Sequence, residues 1–174
     1  MGRPSVRQLD IALDRDIFLR NLLRELSGTL EKLIGIEEAS GYISIVGQKI
    51  ADWINEDYRT AAQLETLPVA TLAQVLVDLK DRIGGGFSLV SLDSEKIVLT
   101  NNRCPFGKSV VGRRSLCMMT STVFGTLTAD NTGYAKVVLR ETIAAGDTCC
   151  NVIVYLSPPT NNDALTGIEY FSAQ

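Results

Sequence analysis

Four cysteines and no histidine set the chemistry open to this chain. Without imidazole there is no Ser-His-Asp or Cys-His catalytic arrangement, no His-ligated haem, and no zinc site that needs a ring nitrogen. A metal would have to be held by thiolate, carboxylate or backbone oxygen. The thiols are Cys104, Cys117, Cys149 and Cys150, spaced Cys-x12-Cys-x31-Cys-Cys. This is neither the paired CxxC of a zinc ribbon nor a ferredoxin run. On spacing alone the four also suit the role of small buried hydrophobes. Cys149 and Cys150 open a strand pattern, so their side chains face opposite ways. Alternation groups Cys150 with Val152, Val154 and Leu156 and leaves Cys149 at the preceding turn. Cys117 falls in the first turn of an expected helix, where free amides and the helix dipole would lower its pKa.

The segment 101–119, NNRCPFGKSVVGRRSLCMM, adds a GKS triplet and four cations to two of these thiols. A phosphate-binding loop needs Gly, four intervening residues, then Gly-Lys-Ser, and the residue at the first position is Asn102. No helix starts at Lys108 either, because VVGRR intervenes. Lys108, Arg113 and Arg114 form a basic loop that could meet an anion at the next helix N-terminus. A solvated turn is the simpler reading of the same three cations.

These residues must be positioned by a chain of 174 residues, which suits one domain. The apolar fraction is 45% and charged residues are 21%, enough for a core and against wholesale disorder. A net charge of −3 with both signs mixed gives no electrostatic footprint for nucleic acid. No apolar run is long enough for a membrane span. The N-terminus lacks a signal-peptide pattern, and Val6 breaks the myristoylation motif. The expectation is a soluble, cytoplasmic protein, with its cysteines as thiols or ligands rather than disulfides.

Apolar periodicity predicts a first helix over 16–34, stopped by Gly35, and a second over 37–55, in which Gly41 and Gly47 would let a neighbour approach. A loop over 58–68 and a third helix from Thr71 to the glycines at 84–86 follow. Runs 87–93 and 95–101 read as an antiparallel hairpin. Ser115 would cap a fourth helix ending near residue 131, and strands over 135–142 and 150–157 would be joined by an IAAGD turn. The fold class is α+β: N-terminal helices on a small antiparallel sheet of about four strands, with one helix inserted between strand pairs. The helical part spans about 10–83, the cysteine-bearing part about 86–157, and 158–174 is a loosely held tail, all one sensory or ligand-binding domain.

At CPFG (104–107), GRRSLCMMTSTVFG (112–125), NTGYAKVVL (131–139) and GDTCCNVIVYL (146–156) the chain resembles the methanogen output domain family. That family is related to the 4-vinyl reductase domains and shares a fold with the TRAPP vesicle-tethering subunits. The opening, from Gly2 to Leu26, also looks like bacterial members. The resemblance implies a homodimer formed through the helices and a sensory role, with Cys104, Cys117 and Cys150 as metal or cofactor ligands. Cys149 has no counterpart in the family, which leaves open whether it or Cys150 is the ligand. The implied cofactor is zinc or an iron–sulfur cluster. Three thiolates without a fourth protein ligand would leave an open coordination position, which suits sensing.

The leading functional expectation is a non-enzymatic sensory module that binds a metal ion, iron–sulfur cluster or small molecule at the cysteines. It would signal through a partner such as a kinase or regulator. One alternative is a reductase of a tetrapyrrole or hydrocarbon, for which Tyr134, Asp130 or Glu141 would be the proton donor. No dinucleotide fingerprint supports it, since Gly84-Gly85-Gly86 follows a helix. The other alternative is a dimeric interaction protein with structural cysteines.

Overall fold

The computed structural model describes residues 5–159 and 166–172. Helix α1 (Arg15–Ile34) begins where the Asp14 carboxylate accepts from Ile17 N at 2.8 Å, satisfying an amide that the first turn leaves free. It ends at Gly35, whose φ of +87° suits a residue without Cβ. Helix α2 (Ile36–Ala62) starts at once and runs seven residues further than the apolar pattern indicated. Its extra turns are held from the side. Arg59 Nη2 donates to Asp130 O at 2.8 Å, and Asn55 Oδ1 accepts from Asn131 Nδ2 at 3.0 Å. The connection to α3 (Val69–Arg82) is therefore short, and Pro68 rather than Thr71 stands at its N-cap.

Strands β1 (Phe87–Leu92) and β2 (Lys96–Asn101) form the expected hairpin. Helix α4 (Cys117–Thr132) follows two short 3-10 turns, Gly107–Val110 and Arg114–Leu116. Strands β3 (Tyr134–Glu141) and β4 (Cys150–Tyr155) are joined through a 3-10 turn, Ile143–Ala145. Among the described residues the sheet has five strands, not about four. The segment read as a loose tail contains β5 (Ile168–Phe171), which pairs with β3, while 160–165 and 173–174 of that segment lie outside the described residues. The order is β1-β2-β4-β3-β5, all antiparallel.

One face of this sheet is covered by α3 and α4, and α2 packs along α4. The shared core is Leu72, Leu76, Phe124, Leu127, Ile97, Leu99, Val152 and Val154, all essentially fully buried. Each such side chain contributes about 1.5–3 kcal/mol by leaving water. Of the two α2 glycines, Gly47 is the one that brings a neighbour close: a Cβ there would stand 3.0 Å from Thr122 Cβ, whereas Gly41 faces open space. In β5, Tyr170 is anchored by a 2.9 Å hydrogen bond between its hydroxyl and Ser121 Oγ, with its ring lying against Gly125. The sequence reading missed this strand, because the groups that hold it, Ser121 and Gly125, lie on a helix more than forty residues away.

Candidate functional site

The open end of the β2–β4 pair gathers most of the residues singled out by chemistry. β2 delivers Asn101, which pairs in register with Cys150 at the start of β4. The chain then turns through Cys104-Pro105-Phe106, closed by a 2.8 Å bond from Gly107 N to Cys104 O with Gly107 at φ +59°. The first turn of α4 brings Cys117 and Thr120, and the β3–β4 connection brings Thr142, Ile143 and Ala144. Together with Phe87, Val110, Leu116, Leu139 and Val152 these side chains line one cavity of about 30 Å³, room for about two water-sized atoms.

Cys104, Cys117 and Cys150, spread over nearly fifty residues of chain, thus line a common space. Cys149 does not: its thiol turns to Glu141 Oε2 at 3.5 Å. Cys150 Sγ accepts from Ile143 N at 3.4 Å. The three lining thiols are held protonated. Burial pushes Cys117 up to about 12, reinforced by Cys150 and Cys104. Burial likewise raises Cys104 and Cys150, against the opposing pull of a backbone amide on each and of Lys80. The helix-start effect anticipated for Cys117 is therefore reversed. The 3-10 turn Arg114–Leu116 runs into α4, so the Cys117 amide is already bonded to Arg114 O and Ser115 O. The thiol beside it meets hydrocarbon rather than free N–H groups.

The cation that faces these thiols was not anticipated. Lys80, in the last turn of α3, is 3% exposed. Its Nζ donates to Thr120 Oγ1 at 2.9 Å and sits 5.1 Å and 5.6 Å from the ring centroids of Phe124 and Phe87. Burial lowers its pKa to about 8, and Cys104, Cys150 and Cys117 pull it back upward. The sequence signal was available: Leu72, Leu76 and Lys80 recur every four residues, so the lysine occupies a core position of an apolar stripe. Asn101, in the cavity lining, is also 3% exposed, and its Oδ1 has no hydrogen-bond partner among the described residues.

The basic loop resolves into three different situations. Arg113 turns inward over Gly28. Its Nε donates to Arg24 O at 3.2 Å, and Nη1 lies 3.9 Å from Glu31 Oε2. Lys108 and Arg114 are exposed. The GKS triplet is part of a 3-10 turn clamped by Arg24, whose Nη1 donates to Ser109 O at 2.6 Å and Val111 O at 2.8 Å. Ser115, expected to cap α4, instead donates through Oγ to Glu31 Oε1 at 2.6 Å. Tyr134, Asp130 and Glu141 do not line the cavity.

A metal ion is the guest that the cysteines bring to mind first. The donor types suit a thiophilic ion. As folded, however, no group of three or more Cys, Asp or Glu side chains among the described residues stands close enough to hold one. The thiols line the cavity without forming a ligand set.

Next to the cavity lies a second, apolar groove between α1 and α2, lined by Leu23, Leu26, Leu30, Tyr42, Val46 and Met119. Phe106 and Leu116 belong to both walls. No helix among the described residues is long and apolar enough to cross a membrane.

Comparison with known proteins agrees with this architecture. No curated protein matches the chain. Among solved structures, the phenol-responsive sensory domain of the transcription activator PoxR, bound to phenol, is similar with a TM-score of 0.62. The two are 15% identical over 83% of this chain and 76% of that one. A trafficking protein particle complex subunit 3 from Naegleria fowleri, covalently bound to palmitic acid, is similar with a TM-score of 0.55. It is 10% identical over 81% of this chain and 96% of that one. At these identities the likeness is one of fold, and it supports the TRAPP-like expectation. The model of methanogen output domain 1 matches residues 22–155, which take in all three cavity thiols, and the chain belongs to that family.

Proposed function

We propose that this protein is a non-enzymatic sensory or regulatory module whose thiol-lined cavity, about 30 Å³ as folded, widens around a small molecule and reports its presence through the α1–α2 face. The observation that carries the reading is the buried Lys80 ammonium. Among the described residues its one hydrogen-bond acceptor is the neutral hydroxyl of Thr120, which itself lines the cavity together with Asn101, Thr142, three protonated thiols and hydrocarbon. Burying a cation this way is costly unless something compensates it, and a guest supplies the compensation. A phenol-responsive sensory domain and a palmitate-bound subunit among the similar folds favour an apolar small molecule. The output route is the wall of Phe106 and Leu116, which separates the guest from the apolar groove. A second copy of the chain, or a signalling protein such as a kinase, would dock on that groove. Leu23, Leu26, Tyr42 and Val46 there are exposed. Calorimetry and thermal unfolding against a panel of small apolar compounds test the reading. Saturable binding that vanishes when the cavity is filled by Val152→Phe supports it, and the absence of any binder ends it.

A second reading keeps the zinc ion or iron–sulfur cluster. Three thiolates on a divalent ion carry one net negative charge, which Lys80 would neutralise. This requires Cys104, Cys117 and Cys150 to close on the ion and lose their protons. Elemental analysis and the absorption spectrum of protein purified without air decide it: stoichiometric zinc or iron that Cys117→Ser abolishes would favour this reading over the first.

A further inference from the structure

Among the described residues, the stretch ahead of α1 is held almost entirely by itself. Apart from the Asp14 cap on α1, its hydrogen bonds join Ser5 to Gln8, Leu9 to Val6 and Leu13 to Ile11. Its 3-10 turn, Val6–Gln8, makes no substantial contact with another element. Yet Leu9, Ile11 and Leu13 are 47%, 61% and 66% exposed, and they stand at alternate positions, the pattern of a segment with one buried face. Helix α1 is inverted in the same sense. Its buried residues are Ser27 and Gly28, while Leu19, Leu22, Leu26 and Leu33 are exposed, at the three-, four- and seven-residue spacings of a helix contact seam. On α2, Tyr42, Val46 and Trp53 are exposed. With the arm, these side chains amount to roughly 800 Å² of apolar surface. One partner brings that much to a stable interface, and it exceeds the largest patch on a typical monomer. The groove between the two helices holds about 290 Å³, roughly twice the volume that takes a benzene-sized group.

We propose that this groove is the seat for the N-terminal arm of a second copy: two chains pair antiparallel along α1, and each lays Leu9, Ile11 and Leu13 into the groove of the other. This rests on the reading of the α1–α2 face as the output surface and names the partner it takes. Geometry sets the direction. The arm joins α1 at Arg15, and the groove begins at Leu23, about 12 Å further along the helix. A parallel pair would leave both arms beyond the same end of the helices, clear of either groove. An antiparallel pair centred near Leu19 and Leu22 sets the start of each α1 beside the middle of the other. The relation is isologous, so both grooves fill together. Charge agrees with this seat. Asp10 stands between Leu9 and Ile11. Lys49, exposed on α2 between Val46 and Trp53, has no carboxylate within ion-pair distance among the described residues. A carboxylate arriving with the arm supplies one.

The test uses the full chain. Sedimentation equilibrium should show a dimer, and Ile11→Asp should raise its dissociation constant roughly tenfold or more, the worth of one buried aliphatic side chain. Ile11 is exposed in the single chain, so the circular dichroism spectrum of this variant should match the wild type. Lys49→Glu should weaken the dimer, and adding Asp10→Lys to the same chain should restore it. A direct measurement needs no variant: in dimers mixed from isotope-labelled and unlabelled copies, the Ile11 methyl groups should show nuclear Overhauser contacts to Val46 across the two copies. A monomer, a dimer indifferent to Ile11→Asp, or Ile11 contacts to Val46 within one copy overturns the proposal; the last would make the arm a strap on its own groove. The small-molecule reading fails separately. A dimer of this kind whose cavity takes no compound ends that reading and keeps this one, and a monomer that binds a compound does the reverse.

Discussion

Lys80 Nζ and Thr120 Oγ1 are joined by a 2.9 Å hydrogen bond between the last turn of α3 and the first turn of α4. It ties a buried cation to the same turn that carries Cys117. The ammonium thus sits where three thiols, two aromatic rings and one hydroxyl share a few ångströms of low-dielectric space. The titration of these groups is coupled to folding.

The first prediction is an alkaline optimum in stability for the metal-free protein. Lys80 has a folded pKa of about 8 against a usual value of 10.5. Between these values the unfolded chain binds more protons, so stability rises with pH; the contribution is complete above the higher value and lost as pH falls through the lower. The thiols act in the opposite sense. Cys117 is raised from 9.0 to about 12, and its stabilising contribution is lost as pH rises beyond 9.0. From pH 8 to pH 9 the Lys80 contribution rises by roughly 1 kcal/mol and the thiols offset part of it, so urea unfolding should show a shallow maximum near pH 9 and a decline above it. Lys80→Met should remove the increase and keep the decline. A wild-type profile that falls monotonically across this range would show that burial does not lower the Lys80 pKa and that the lysine stays protonated in the fold throughout.

The second prediction concerns Asn131, near the C-terminal end of α4. Its Oδ1 accepts from Leu67 N at 2.7 Å and from Arg59, and its Nδ2 donates to Leu127 O at 2.7 Å and Asn55 Oδ1 at 3.0 Å. One side chain thereby fixes the end of α2, the connection to α3 and the end of α4. Asn131→Ala leaves the amide of buried Leu67 and the Asn55 carbonyl without partners. It should cost about 2–4 kcal/mol in urea unfolding. Asn131→Asp, which retains the acceptors, should cost less. Equal losses would assign the effect to the donor side alone.

These two residues also mark what the sequence made legible and what it hid. The helices of α1 and α3, the hairpin, and the strands carrying Val137 and Val154 were readable because their apolar period is local. So was the separation of Cys150 from Cys149, since alternation along a strand decides it. The tertiary polar partners were not. The α2 helix outruns its apolar stripe because Asn55 and Arg59 find acceptors on α4. Ser115 forgoes a capping role because Glu31, on a different helix, offers a carboxylate. Lys80 could have been noticed as a charge in a core stripe, but its partners come from four other segments. No spacing rule joins them.

The third prediction addresses β5. A Cβ at Gly125 would overlap the Tyr170 ring, so Gly125→Ala must displace the strand that carries it. Amide exchange of Ala135 and Val137, which pair with Tyr170 and Ile168, should accelerate in this variant, while β1 and β2 keep their protection. Ser121→Ala, which removes only the hydroxyl partner of Tyr170, should cost about 1 kcal/mol and leave the strand in place. Unchanged exchange in Gly125→Ala would mean that the ring moves without the backbone and that β5 is not held by this contact.

The fourth prediction tests how occupancy of the cavity reaches the groove. Phe106 and Leu116 are the side chains common to both. Cys104 O and Gly107 N close the turn that fixes Phe106, so a guest that displaces the ring has a rigid turn to push against. A compound from the apolar panel that binds the cavity should then shift the methyl resonances of Leu23, Leu26 and Leu30, none of which lines the cavity. In Phe106→Ala that compound should still bind within several-fold of the wild-type affinity, because the other lining side chains are untouched, but the shifts in the groove should shrink. Loss of binding together with loss of the shifts would make Phe106 part of the guest site. Retained shifts would route the signal through Leu116 or the body of α4, whose Met119 also borders the groove.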